Sequence, residues 1–223
     1  MMKRTILLLT ILLATHSVAS AQEIPIPEYY TVLDTVSGDL DNDRIPELVV
    51  AYNTKKEDDG NESVPRELRI YKIERGAWTL WKKSLQALYG SRDGGMMGDP
   101  FGEMTISNGV LSISHDGGSS WKWSHTDKYR YQYGELYLIG YSEHFGKLCE
   151  YWTTVDFNLS TGKLIVKKEY ERCENDTQEI YKRENEVVNF RGVMITLQKR
   201  REHDVTVVTP KYRHKIYIAH KIE

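Results

Sequence analysis

Apolar and polar residues alternate with a period of two along most of the chain, the pattern of strands that bury one face. The clearest case surrounds Asn108-Gly109, a pair typical of a two-residue type I′ hairpin turn. This turn sets Ile106 against Leu111 and Met104 against Ile113, so turn and apolar pattern agree on one register. Further strands are predicted at 29–36, 48–52, 67–74, 77–83, 193–199, 205–208 and 215–222, whereas 175–189 fits either helix or strand.

A second hairpin is predicted around Tyr133-Gly134, where two long strands carry aromatic residues on one face. The turn sets Tyr129 against Leu138 and Tyr131 against Leu136. Such a face usually belongs to the core, but exposed rings also stack on sugars or form protein interfaces. The aromatic residues that share this parity are Trp121, Trp123, Tyr129 and Tyr131.

The fold class predicted from these patterns is all-β, with antiparallel sheets of hairpins in propeller-blade-like or sandwich packing. Residues 22–223 are expected to form one domain, because about 200 residues suit a single sizeable core. We expect roughly ten strands joined by short turns.

The two cysteines are predicted to form a disulfide across another hairpin. Its turn lies between Phe157 and Leu164, which pair in the register that the apolar pattern favours. Cys149 and Cys173 are one residue out of that register, so we expect a one-residue bulge, with Gly162 as a natural place. A reactive thiol pair is disfavoured because the chain has no CxxC spacing.

The first 21 residues have the pattern of a signal peptide. Lys3 and Arg4 precede an apolar run at 5–13, and Ala19-Ser20-Ala21 is a cleavage sequence. We therefore expect a mature chain from Gln22 that is periplasmic or secreted. No segment has the length of a membrane span.

Charge disfavours nucleic acid as a partner. The chain has 30 Lys and Arg against 32 Asp and Glu, and the signal peptide holds two of the bases and no acids. The mature balance is 28 − 32 = −4, opposite in sign to a general nucleic-acid binder.

The densest candidate chemistry is an acidic loop between the first two strands. Carboxylates alternate there at Asp39, Asp41 and Asp43, with the Ile45 carbonyl and Glu47 continuing the spacing. Ca²⁺ takes six to eight oxygen ligands, which such a loop supplies. An EF-hand is excluded because a strand, and no helix, is predicted after the loop.

Gly38-Asp39-Leu40-Asp41-Asn42-Asp43 followed by a strand resembles the calcium loops of FG-GAP-type repeats. The resemblance implies Ca²⁺ ligands at Asp39, Asp41, Asp43, Ile45 and Glu47. It departs from the family at Arg44, where glycine is usual because the backbone turns sharply. A left-handed conformation at Arg44 costs about 1 kcal/mol or more, which would weaken binding. The alternative is an acidic hairpin whose Asp side chains cap their own turn.

Two glycine-rich stretches mark candidate ligand-binding residues: Asp99 in the segment 94–101, and His115, Trp121 and Trp123 in and beside 115–123. Together with the acidic loop they resemble a widespread group of secreted bacterial proteins, in which a DxDxD loop precedes GGxxGDPF and GGSxWxW motifs. The resemblance covers about residues 36–141 and implies a shared fold and export, but no activity. The alternative for 94–101 is a structural loop packed by Phe101 and its two methionines.

A catalytic site is not predicted. His115-Asp116 lies near Ser119, but no GxSxG elbow, HExxH or zinc-site spacing is present. The favoured function is an exported binding module stiffened by Ca²⁺, with a glycan or a protein of the cell envelope as partner. An immunity protein that guards the envelope against a toxin is one form of it. The alternative is a hydrolase of envelope material.

Overall fold

The computed structural model describes residues 23–55, 62–175 and 177–221. The predicted signal peptide, its cleavage site and Gln22 lie outside the described residues. The described chain is all-β, as predicted, with three antiparallel sheets. Two short 3₁₀ turns interrupt it, at Gly95–Met97 and Leu197–Lys199.

The described residues form thirteen strands, where about ten were expected. Hairpins connect most neighbours, because the short turns between them allow antiparallel pairing directly. The strands are β1 (Thr31–Gly38), β2 (Glu47–Asn53), β3 (Arg66–Glu74), β4 (Ala77–Ser84), β5 (Phe101–Ser107), β6 (Val110–Gly118), β7 (Lys122–Gln132), β8 (Glu135–Lys147), β9 (Tyr151–Asn158), β10 (Lys163–Glu174), β11 (Thr177–Asn189), β12 (Val205–Val208) and β13 (Lys215–Ala219).

The sheets are arranged as in a sandwich. One sheet has the order β1-β2-β3-β4, a larger one the order β11-β10-β9-β8-β7-β6-β5, and β12 pairs with β13. Their apolar faces meet in one core, in which Val49 and Ile70 of the small sheet join Leu111 and Tyr129 of the large one. Ile216 of β13 belongs to the same core, so the last hairpin covers another part of the large sheet's inner face.

The register of the two central hairpins is the one that the sequence predicts. Met104 pairs with Ile113 across Asn108-Gly109, and Tyr129 pairs with Leu138 across Tyr133-Gly134. Asn108 and Tyr133 have φ of 51° and 52°, the left-handed values that such turns require. Local turn chemistry and the buried face therefore specify the same pairing.

The structure assigns one segment that the sequence left ambiguous and contradicts one predicted strand. The segment 175–189, ambiguous in the sequence, is the edge strand β11. The predicted strand at 193–199 is wrong: it makes one bridge, between Thr196 and Tyr137, and then a 3₁₀ turn. Its carbonyls accept hydrogen bonds from the Leu138 N–H at Ile195 and from the Ser84 hydroxyl at Leu197, instead of joining a ladder.

The disulfide between Cys149 and Cys173 is present, as predicted. The expected bulge at Gly162 is wrong, because the β9–β10 register is unbroken from Asn158–Lys163 to Tyr151–Tyr170. The offset arises at the open end of the hairpin. The Glu171 N–H still donates to the Glu150 carbonyl, and the one step from there to Cys149, which has a φ of 66°, is matched by two steps along β10 to Cys173. The bond therefore joins the β8–β9 turn to the end of β10.

Candidate ligand-binding site

The acidic loop brings its three aspartates together. Oxygens of Asp39, Asp41 and Asp43 lie within 4.8 Å of one another. The same side chains accept backbone hydrogen bonds: Asp39 from the Arg44 N–H at 2.9 Å, and Asp43 from the Ile45 N–H at 2.7 Å. Arg44 has a φ of 70°, a left-handed conformation that glycine adopts more readily than other residues. The loop thus caps its own turns and also forms an acidic triad that can accept a metal.

A lysine enters this cluster from β3. The Lys72 ammonium contacts Asp41 and lies 3.7 Å from Asp43 and 3.6 Å from Glu47. Glu47 is 1% exposed and accepts a hydrogen bond from the Leu40 N–H at 2.7 Å. Burial, together with the neighbouring aspartates, raises the pKa of Glu47 despite this hydrogen bond and the lysine. A protein cation therefore already neutralises part of the loop.

Asp99 is engaged with a buried arginine. One of its oxygens lies 2.7 Å from Nη1 of Arg66, which is 2% exposed, and the other meets Nη2. Asp99 also accepts from the Phe101 N–H at 2.9 Å. Burial acts to raise the pKa of Asp99, but Arg66 and this N–H bring it below its usual range. In this geometry Asp99 anchors the glycine-rich loop to β3.

The two glycine-rich stretches pack on each other. The Gly118 N–H donates to the Gly94 carbonyl at 2.8 Å, and a Cβ on Gly117 would lie 2.8 Å from the Gly94 Cα. Met96 and Met97 are 89% and 47% exposed, so the methionines do not pack this loop, whereas Phe101 is partly buried against the core as the structural alternative expects. The glycines are required because the two backbones approach closely.

His115 lies inside the core and is not exposed at the surface. It is 2% exposed, with the rings of Tyr89 and His125 centred 5.0 and 5.2 Å away. Neither ring nitrogen has a hydrogen-bond partner among the described residues. Burial, and then the adjacent His125, lower the pKa of His115 to about 3, so the ring is neutral. Asp116, the next residue of β6, is exposed on the opposite face.

Beside this core lies a cavity of about 560 Å³ between the large sheet and the β12–β13 hairpin. Trp123, one of the predicted binding residues, lines it with Tyr141 and Phe145, and Ile216 and Ile218 of β13 line it as well. Trp123 stacks on His125 at 5.7 Å. Walls of this kind suit a small ring-containing ligand. The polar residues that line the cavity include Glu143, Thr153, Lys168, Arg200 and His214.

Glu143 is the carboxyl group of this cavity on β8. It pairs with His125 on β7 and with Val155 on β9, so it faces inward. Burial raises the pKa of Glu143 to about 7, although the Tyr141 hydroxyl and the Arg200 guanidinium act in the opposite direction. Near neutral pH the group therefore exists both as a hydrogen-bond donor and as an anion.

Arg200 forms a buried ion pair with Asp127 of β7. Nε and Nη2 lie 2.6 and 2.9 Å from the two carboxylate oxygens, a bidentate arrangement. Tyr129 donates its hydroxyl to the same carboxylate at 3.1 Å. Over the part of the chain that the structure describes, Nη1 of Arg200 is buried and has no hydrogen-bond partner. The cavity wall thus contains an unsatisfied charged donor.

A strip of aromatic rings crosses the large sheet from the cavity towards its β11 edge. Trp121 stacks on Phe145 with ring centres 5.4 Å apart and lies 5.0 Å from Tyr151. Tyr151 is 6.0 Å from Tyr170, which is 6.2 Å from Tyr181. Phe145 and Tyr151 also line the cavity, so strip and cavity are continuous. We call these five residues the aromatic strip.

The structure separates the four residues predicted to bind a ligand. Trp121 lies in the strip and Trp123 lines the cavity, whereas Asp99 pairs with Arg66 and His115 is buried. The sequence did not single out Glu143, Lys168 and Arg200, which also line the cavity. The inward parity of Glu143, between Tyr141 and Phe145, is a usable signal. Arg200 follows a 3₁₀ turn, where no periodic pattern exists to mark it.

No family model matches the chain, and neither the curated proteins nor the solved structures include a match. In residues 23–55, 62–175 and 177–221, no helix is long and apolar enough to cross a membrane. The interpretation of the site therefore depends on its own geometry.

Proposed function

We propose that this protein is an exported binding module that holds a glycan on the aromatic strip and in the adjoining cavity. The observation that carries the proposal is the continuity of the two, because Phe145 and Tyr151 belong to both. The strip's rings are half-buried or exposed, so part of their surface is available for contact with sugar rings. The disulfide supports an oxidising compartment such as the periplasm or the exterior.

The other candidate among binding modules is one whose partner is a protein of the envelope, including a toxin, since exposed aromatic residues also form interface hot spots. We prefer a glycan because the strip ends in a concave cavity of about 560 Å³, which suits a small ring better than a flat protein surface.

Replacing Tyr151 with alanine is expected to weaken binding to an envelope polysaccharide fraction by about tenfold, equivalent to about 1.4 kcal/mol. Tyr151 is the ring that joins cavity and strip, so its loss interrupts both. Binding is measured by affinity electrophoresis in gels containing the polysaccharide. Tyr133→Ala is the matched control, because Tyr133 is 92% exposed at the β7–β8 turn. Equal retardation of both variants and the original protein would count against the glycan proposal.

The second candidate is a hydrolase of envelope material, favoured by one observation. Glu143 has a pKa of about 7, the value that suits a general acid near neutral pH, and Asp93 lines the same cavity. Incubation of the same polysaccharide with the protein separates the candidates. New reducing ends that disappear in Glu143→Gln would establish the enzyme, whereas binding without cleavage supports the module.

We further propose that the acidic loop binds Ca²⁺, as its similarity to FG-GAP-type loops implies. The carboxylates of Asp39, Asp41, Asp43 and Glu47 and the carbonyl of Ile45 are the proposed ligands. Because Lys72 contacts this cluster, its ammonium must move aside when the ion enters, and it therefore competes with calcium. The role of the ion is to stiffen the connection between β1 and β2.

Added calcium is expected to raise the melting temperature, with about 2.7 kcal/mol of stabilisation when the ion is at 100 times its dissociation constant. Asp41→Ala should abolish the rise. Lys72→Met should enlarge it, because the competing cation is gone. Differential scanning calorimetry in millimolar Ca²⁺ and in chelator measures both. Melting curves that are indifferent to calcium, in the original protein and in Lys72→Met alike, would refute the metal site.

A further inference from the structure

We propose that the ligand is an acidic glycan, with one sugar carboxylate paired with Lys168, further negative charge beside Arg200 in the cavity, and sugar rings stacked on the aromatic strip. This rests on the proposed glycan-binding function and specifies the class of sugar. Three independent features of the described residues lead to it: an unsatisfied guanidinium donor, an unpaired ammonium, and a regular placement of cations over the strip.

The first feature is the guanidinium of Arg200. Two of its three nitrogens are used by Asp127, while Nη1 has no partner among the described residues although Arg200 is only 5% exposed. A buried N–H without an acceptor is costly, and because Nη1 itself is closed to solvent, a ligand oxygen removes this cost only when the guanidinium shifts towards the cavity. Since Arg200 lines the cavity, an oxygen-rich anionic group is the complementary ligand.

The second feature is Lys168 on β10. Its ammonium lies 3.6 Å from the centre of the Tyr151 ring and 4.9 Å from that of Tyr170. Within the described chain it has no carboxylate partner, although Lys147 and Lys182 are paired with Glu150 and Glu184. Burial lowers the pKa of Lys168, and Lys182 adds to this, whereas Glu184 acts in the opposite direction without forming an ion pair with Lys168. A carboxylate of the ligand would supply the missing counter-charge.

The third feature is the placement of lysines along the strip. Lys147 lies over the Trp121 ring at 5.8 Å, and Lys182 lies over Tyr170 at 4.6 Å, on either side of Lys168. The nearby carboxylate of Glu184 already accepts from the Tyr170 hydroxyl at 2.9 Å and pairs with Lys182 at 2.6 Å. Rings alternating with cations fit a polymer in which sugar rings alternate with negative groups.

Nucleic acid also combines rings with negative charge, but the observations favour the sugar. The net charge of −2 does not provide the electrostatic attraction on which nucleic-acid affinity depends. The cavity encloses Arg200 at one place beside the strip, and a localised donor of this kind suits a carboxylate on a ring better than a continuous phosphate backbone.

The test compares carboxylated sugars with neutral counterparts of the same ring: oligogalacturonate with its methyl ester, glucuronate with glucose, and N-acetylmuramate with N-acetylglucosamine. Titrations are followed by NMR of the full chain. At least one carboxylated member should bind about tenfold more tightly than its counterpart. Lys168→Met should remove that preference. Lys167→Met is the matched control, since the adjacent residue of β10 is exposed on the opposite face.

Equal binding of both members of every pair would overturn the acidic ligand while leaving glycan binding in place. The same follows if Lys168→Met, shown to fold by its NMR spectrum, retains the full preference. Absence of binding by all sugars and by the envelope polysaccharide, at concentrations up to about 10 mM, would refute the proposed function itself. An oligothymidylate that binds more tightly than every sugar would replace the acidic glycan with nucleic acid.

Discussion

Replacing Asp127 with asparagine is expected to lower the free energy of unfolding by about 3 to 5 kcal/mol. Asp127 is 2% exposed and Arg200 is 5% exposed, so the variant leaves a buried guanidinium without its counter-charge. Urea unfolding followed by tryptophan fluorescence measures the loss. Asp156→Asn, an exposed carboxylate on β9, is the control and should change stability by less than about 0.5 kcal/mol.

The double variant Asp127→Leu with Arg200→Met makes this test sharper. Replacing a buried ion pair by apolar residues of similar size is often neutral, because the desolvation of both charges is avoided. The double variant should therefore be more stable than Asp127→Asn, despite losing both charged groups. If Asp127→Asn costs less than about 1 kcal/mol, the pair is more hydrated than its burial indicates.

The second large effect is expected at Glu143 and depends on pH. The pKa of Glu143 is about 7 in the folded protein, against an ordinary value of 4.5 that applies to the unfolded chain. Between these two pH values the folded chain therefore keeps a proton on Glu143 that the unfolded chain has lost. Its stabilising contribution is complete below pH 4.5 and is lost as pH rises through 7. The side chain introduced by Glu143→Gln stays neutral, so the free energy of unfolding of this variant, relative to that of the original protein, should rise by about 2 to 3 kcal/mol as the pH is raised from pH 5 to pH 8.

The comparison of the two proteins cancels the other titrating groups. His115 and His125, with pKa values of about 3 and 4, lower stability in acid equally in both. Chemical unfolding at pH 5, 6, 7 and 8 measures the difference, with the exposed Glu103→Gln as control. A difference that does not change over this range would mean that Glu143 is ionised throughout, and the cavity would then be more polar than its walls indicate.

The two predictions describe the same property of the site. Asp127, Arg200 and Glu143 place charges or chargeable groups beside a cavity with aromatic walls, where water does not fully solvate them. Such an arrangement lowers stability unless a partner group satisfies the polar atoms. Functional sites commonly carry such a loss of folding stability, and a ligand that satisfies the polar atoms restores part of it.

Much of the architecture was predictable because it depends on contacts between residues close in the chain. Asn108-Gly109 and the alternation beside it specify the β5–β6 register, and the same reasoning specifies β7–β8. Cys149 and Cys173 flank one hairpin, so their pairing was also accessible from the sequence. The bulge was placed wrongly because either end of that hairpin can absorb one extra residue.

The site itself was decided by tertiary structure. Lys72 comes from β3 to the acidic loop of the β1–β2 connection, and Arg200 comes from a 3₁₀ turn to Asp127 on β7, a separation of 73 residues. His115 is polar in the sequence, yet the packing of Tyr89 against it makes it a core residue. A period of two reports which face a side chain occupies, but not which distant segment covers that face.

The sequence by itself therefore determined an all-β chain, its central hairpins, its disulfide and the acidic loop, because each depends on spacing within a short window. Only the tertiary structure decided that β12–β13 lies over the large sheet and encloses the cavity, since burial of the remaining apolar surface, and no local pattern, brings those segments together.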